Sequence, residues 1–218
     1  MKPVPPAKTI KAFTLIELLL VIAVIAVLGA IFLPQLRRPR MRPSRIFCVN
    51  ALKQVGLAFR MWSLDYGGKF PMQVSVTNGG TMELVKSGIV FPHFQVMSNE
   101  LNTPKLLVCP EDTNRTPAST FTQNLNDAQI GYFVGVEADP TKPAMFLAGD
   151  NNLGLGGVPA KHGLLALWTN YPVAWVKPRH YAGGNVLLVD GSVQQVGDAQ
   201  LRTLLQKTGM ATNRLAIP

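Results

Sequence analysis

The sequence predicts an α+β chain, with an N-terminal transmembrane helix followed by a head in which a helix packs on an antiparallel sheet. Three patterns carry that expectation. Residues 13–33 are apolar or small apart from Thr14 and Glu17. Val49, Leu52, Val55, Phe59 and Trp62 recur at helical spacing. Asp190-Gly191 separates two short runs, Asn185 to Val189 and Ser192 to Val196, as a hairpin turn would.

The first element runs from Phe13 to Leu33, 21 residues, or ~31 Å of helix at ~1.5 Å per residue, enough to cross a bilayer. Fifteen of them are Leu, Ile, Val or Phe. At about −0.3 to −0.6 kcal/mol each they outweigh one carboxylate costing at most about +3 kcal/mol. An ordinary secretory signal has a shorter apolar core ending in an A-x-A-like site, and Leu18 to Leu33 is continuous with no such site. A plain signal anchor would account for the length but not for Glu17. An intramembrane carboxylate is a functional-site hypothesis that needs a partner. Its position near the helix start would also let it reach the interface.

Pro34, Pro39 and Pro43 then interrupt the chain, because proline lacks the backbone donor and clashes with the preceding turn. A helix is expected to resume at Ser44, which can cap it, and to stop at Gly67-Gly68. Short helices are expected over 81–87 and 91–100, and strands over 106–109, 130–137 and 144–148. The last two are joined by a turn region at Asp139-Pro140. Residues 111–126 read as loop, and the glycine-rich 151–163 as a flexible or ligand-shaped loop. After the Asp190-Gly191 hairpin, Asp198 is expected to cap an amphipathic helix through Leu201, Leu204 and Leu205 to Gly209.

The chain has 218 residues and a net charge of +9. Lys2, Lys8 and Lys11 before the apolar run, and Arg37, Arg38, Arg40, Arg42 and Arg45 after it, account for all but one of those charges. The head is therefore nearly neutral, and the charge is no argument for nucleic acid. An arginine cluster beside a membrane segment is placed to touch lipid headgroups. The two cysteines, Cys48 and Cys109, suit one disulfide in an exported domain or two buried thiols in a cytosolic one. Neither C-x-x-C spacing nor a nearby histidine cluster supports zinc.

Lys11-Ala12-Phe13-Thr14-Leu15-Ile16-Glu17, with its basic leader and long apolar run, resembles the class III signal of type IV pilins and type II secretion pseudopilins. The resemblance implies cutting by a prepilin peptidase between Ala12 and Phe13, and methylation of the new amine. Ala12 departs from the commoner Gly. The resemblance divides the chain into a cleaved leader (1–12), a membrane and assembly helix (13–33), a Pro/Arg-rich linker (34–43) and a head (44–218). It also gives Glu17 a partner, the Phe13 amine of a neighbouring subunit. It implies a single-pass inner-membrane protein with its head in the periplasm or outside the cell. Its implied partners are other pilin-like subunits, the secretion or pilus assembly machinery, and lipid. The five arginines oppose that orientation, since basic flanks stay in the cytoplasm, but processing requires the leader to be cytoplasmic. Arg179-His180-Tyr181-Ala182-Gly183-Gly184-Asn185-Val186, nine residues from His180 to Asp190-Gly191, resembles a C-terminal signature of pilin-like proteins abundant in Planctomycetes and Verrucomicrobia. The segment Cys48-Val49-Asn50-Ala51-Leu52-Lys53-Gln54-Val55-Gly56-Leu57-Ala58 is similar to another stretch of that group.

His180, Asp190 and Asp150 could in principle form a general base and its orienting groups. Ser192 and Ser98 lack a G-x-S-x-G context, so no nucleophile stands out and no enzyme is expected. Asp150-Asn151-Asn152 before a run of glycines is an oxygen-rich loop of the kind that suits calcium, the one cofactor weighed. His93 and His162 read as ordinary loop residues. The expected function is a structural pseudopilin-like subunit of a type II secretion or type IV pilus-like filament. The alternative is a membrane-tethered protein whose 151–163 loop recognises a polysaccharide or an exported protein.

Overall fold

The structure is a computed structural model that describes residues 14–36, 43–122, 124–176, 179–180 and 183–218, with helix side chains described for 15–30 and from 46 onward. It divides into two compact units, Met1–Met41 and Arg42–Pro218.

The first unit holds helix α1, Leu15–Leu36. Its start is closed by a reciprocal cap. Thr14 donates its backbone N–H and its hydroxyl to Glu17 Oε2 at 3.0 and 2.9 Å, and the Glu17 N–H points back at Thr14 Oγ1. This is the T-x-x-E capping box, which satisfies donors the first turn would leave bare. The helix passes Pro34 without ending. Its large side chains from Leu15 to Leu28 are exposed all round. The expected membrane span differs here in one respect: among the described residues, no helix is long and apolar enough to cross a membrane. Phe13 and the side chains of Ile31, Phe32 and Leu33 lie outside them.

The second unit is α+β, as expected. Helix α2, Pro43–Asp65, begins on proline, whose fixed φ suits a first helical position. Ser44 thus falls inside the first turn instead of at the cap. Cys48, Leu52, Val55, Phe59 and Trp62 line its buried face. They pack on Val134, Leu147, Leu187 and Ala216 in the larger of two cores. Gly56 allows the close approach, since a Cβ there would lie 2.9 Å from Leu187 Cδ1.

The main sheet contains β1 (Tyr132–Gly135), β2 (Phe146–Asp150), β5 (Gly163–Trp168), β7 (Gly184–Leu188), β8 (Val193–Val196) and β9 (Thr212–Ile217). Its order is β5-β9-β1-β2-β7-β8, with every pairing antiparallel. A smaller sheet, β4-β3-β6, is made of β3 (Leu153–Leu155), β4 (Val158–Pro159) and β6 (Val173–Trp175). The second core joins Phe133, Val186 and Leu215 of the main sheet to Leu153 and Trp175 of the small one. Leu201 and Leu205 of helix α3, Asp198–Lys207, complete it.

The Asp190-Gly191 hairpin forms as expected. Asp190 Oδ1 accepts from Ser192 N at 2.8 Å, Gly191 has φ +84°, and Leu187 pairs with Val193. The short helices of the middle third form as a 3-10 turn at Met82–Ser87 and α turns at Phe91–Gln95 and Ser98–Leu101.

Three expectations are corrected. Residues 106–109 are not a strand: Pro104–Leu107 is a 3-10 turn, started by proline and by Thr103, whose hydroxyl accepts from Lys105 N. The glycine-rich 151–163 is no open loop, because Gly156 and Gly157 at φ +57° and +85° turn β3 into β4. Asp198 is not the cap of α3. Gly197 holds that position, its N–H donating to Gln200 Oε1, while Asp198 Oδ1 accepts from Trp175 N at 2.8 Å.

Candidate functional site

In the first unit the residues singled out by the sequence are Ala12, Phe13 and Glu17. Ala12 and Phe13 lie outside the described residues. Glu17 sits in the first turn of α1 and holds Thr14. Its carboxylate therefore already has a local task, the cap, before any partner is considered.

In the second unit a buried polar cluster surrounds a disulfide between Cys48 and Cys109. The bridge ties α2 to the segment before the turn Cys109–Asp112, which is closed by Asp112 N donating to Cys109 O at 2.8 Å. That turn presents Glu111 and Asp112. His180 stands over the bridge with Nε2 3.5 Å from Cys109 Sγ. The same nitrogen is 3.6 Å from Asp150 Oδ2, and Nδ1 is 3.2 Å from Glu111 Oε2. The His180 backbone N–H also donates to Glu111 Oε2, at 3.1 Å. To face three groups at once the residue adopts φ +55°, a left-handed conformation in which His is enriched among non-glycine residues.

Each remaining carboxylate has a dedicated donor. Asp150, at the end of β2 and fully buried, accepts at Oδ2 from the backbone and side chain of Asn185 at 2.8 and 2.9 Å. Asp112 Oδ2 pairs with Arg179 Nη2 at 2.7 Å and Arg115 Nε at 3.4 Å. Burial raises the Asp150 carboxyl above its ordinary range, opposed by His180 and the Asn185 donors. Burial, with Asp150 and Asp112 nearby, also drives the Tyr132 phenol well above its usual value. Beside the cluster opens a cleft of about 700 Å³ lined in part by Glu111, Asp112, Arg115, Asn151 and Arg179.

Of the sequence candidates, the fold brings together Cys48, Cys109, Asp150 and His180. It does not bring Asp190 to His180, since Asp190 serves the hairpin turn. Sequence reasoning missed Glu111, Asp112 and Arg115. Arg179, His180 and Asn185 of the quoted C-terminal motif each hold a carboxylate here. His93, read as a loop residue, is buried against Thr81, with Nδ1 2.7 Å from Oγ1.

Of the oxygens read as suiting calcium, Asp150 Oδ2 receives two N–H donors and faces an imidazole, while Asp150 Oδ1 and Asn151 Oδ1 are buried with no hydrogen-bond partner. Among the described residues, the one metal-like grouping is Cys48, Cys109 and His180, and its sulfurs are joined to each other. Chemically the cluster can hold three carboxylates and a disulfide in fixed register. His180 and Asp150 are both buried.

The prokaryotic N-terminal methylation motif, as a family model, matches residues 8–33. No curated protein and no solved structure matches the chain. The motif match supports a prepilin-like N-terminus, consistent with a pilin or pseudopilin subunit.

Proposed function

We propose that this chain is a structural, pseudopilin-like subunit of a type II secretion or type IV pilus-like filament. Prepilin peptidase cuts it between Ala12 and Phe13, and the amine of Phe13 is methylated. Residues 13–33 then anchor it in the inner membrane with the head in the periplasm or outside the cell. The match of residues 8–33 to the methylation motif is the observation that carries this reading.

Two structural features support it. The helix α1 is apolar on every side and exposes those side chains. A helix of that kind is stable only in lipid or packed among other helices. The head has its own two cores and its own disulfide, as suits an exported domain. On this reading the subunit performs no turnover of its own. In the filament, Glu17 exchanges its cap on Thr14 for the Phe13 amine of a neighbour.

A photo-cross-linking residue placed at Val24 in cells tests the assembly role. Ladders of cross-linked subunits are expected, and monomer alone in a producing cell would contradict it.

A further inference from the structure

At the far edge of the main sheet, away from the disulfide cluster, the chain exposes an aromatic pair that its own core does not use. Trp168 ends β5 and is 52% exposed. Tyr171 N donates to Trp168 O at 3.0 Å, closing a tight turn. The two rings stack at 5.0 Å and 25°. The turn and the stack fix both rings, so little side-chain entropy is left to lose on binding.

The surroundings of the rings are polar. Trp168 pairs across to Thr212 and Ala166 to Arg214, which puts Arg214 one diagonal step from Trp168 on the same face. Arg214 donates Nε to Glu137 Oε1 at 2.9 Å, with Nη2 2.7 Å from the same oxygen, and Arg214 N donates to Glu137 Oε2 at 3.1 Å. The guanidinium plane is thereby fixed while its side chain stays 42% exposed. Guanidinium carries five N–H donors, so donors remain for a ligand. β5 is the terminal strand of the sheet, and Trp168 ends it at the opposite end from Leu164, where Gly88 packs against the strand.

We propose that this edge binds a neutral pyranose polysaccharide, with one sugar ring laid against the Trp168–Tyr171 pair. A pyranose has an apolar C–H face and a rim of hydroxyls. The ring pair matches the first, and Arg214, Glu137 and Thr212 match the second. The charges of Arg214 and Glu137 cancel, so the partner is neutral. A dry protein interface would have to desolvate that ion pair, a cost that sugar hydroxyls avoid by replacing water as hydrogen-bond partners. The site lies on β5 and β9, not on the β3–β4 hairpin.

The full-length chain in detergent micelles, immobilised for biolayer interferometry, is titrated with a soluble β-1,3-glucan, a xyloglucan and a galactomannan. Binding to at least one is expected. Trp168→Ala should weaken it by about tenfold or more, Arg214→Met should weaken it as well, and Trp168→Phe should retain most of it. Thermal melting of each variant with its disulfide intact separates lost binding from lost folding. Binding to none of the three glycans, or binding that folded Trp168→Ala leaves unchanged, overturns the proposal. Self-association that Trp168→Ala abolishes, without glycan binding, also overturns it and assigns the rings to a second copy of the chain.

Discussion

His180 Nε2 lies 3.5 Å from Cys109 Sγ, across 71 residues of sequence. That contact makes the C-terminal motif a staple. The imidazole joins the disulfide to Glu111 on one side and to Asp150 on the other, and so ties the 109–112 turn and the end of β2 to the bridge that holds α2.

Replacing His180 should therefore destabilise the head without touching the disulfide. His180→Ala removes the imidazole from Glu111 and Asp150 while each keeps a backbone donor, and losing a hydrogen bond to a charged group costs about 1.5–3 kcal/mol. Because φ is +55°, His180→Gly should be milder than His180→Ala by about 1 kcal/mol. Thermal denaturation of the oxidised proteins reads both differences. Melting temperatures equal to wild type would remove the staple role.

The disulfide itself closes a separation of 61 residues, for which chain entropy gives about 4 kcal/mol. Replacing both Cys48 and Cys109 with alanine should lower unfolding stability by roughly that amount in urea titrations. In intact cells the two sulfurs should resist alkylation until a reductant is added. Free alkylation in a producing cell would place the head on the cytoplasmic side, where the arginine cluster alone would put it.

A pH dependence follows from His93. Burial holds its pKa down at about 4, against 6.5 for the free group. Between those values the unfolded chain binds a proton that the folded chain refuses. Stability is thus full above about pH 6.5 and falls as the pH drops toward 4, by about 3 kcal/mol from this residue. His93→Gln retains a hydrogen-bonding partner for Thr81 and removes the titration. The difference between the stability curves of the two proteins should grow across that window, and parallel curves would contradict the assignment.

Much of this architecture was readable from local pattern. The α2 stripe shows in its spacing, and the β7–β8 turn shows in Asp190-Gly191, because each signal is made by neighbours in sequence. β5 and β9 were missed for a physical reason. Leu164 to Trp168 is a continuous apolar run with no alternation, since β5 has one face partly in the second core and the other partly bare. β9 mixes polar and apolar residues because Arg214 serves Glu137. The stapled cluster could not be read at all from spacing. Asp150 meets Asn185 across 35 residues and Glu111 meets His180 across 69, and only the assembled fold brings them together.

Glu17 can be divided between its two roles. Glutamine also serves at the last position of a capping box, so Glu17→Gln keeps the contact to Thr14 and loses only the charge. Glu17→Leu loses both and removes an insertion penalty of up to about 3 kcal/mol. Both variants should insert and be cleaved normally. Both should also fail to form cross-linked ladders, since a buried amine left unpaired costs about 3–5 kcal/mol. Ladders that survive in Glu17→Gln but not in Glu17→Leu would show that the cap, not the ion pair, supports assembly.

The central claim, that residues 8–33 are a working prepilin segment, is tested most directly by intact-mass analysis of the chain purified from membranes of cells with active prepilin peptidase. The account predicts a mature chain that begins at Phe13 and carries a methyl group on its amine. An uncut chain beginning at Met1, or a start downstream of Ala30, would contradict it.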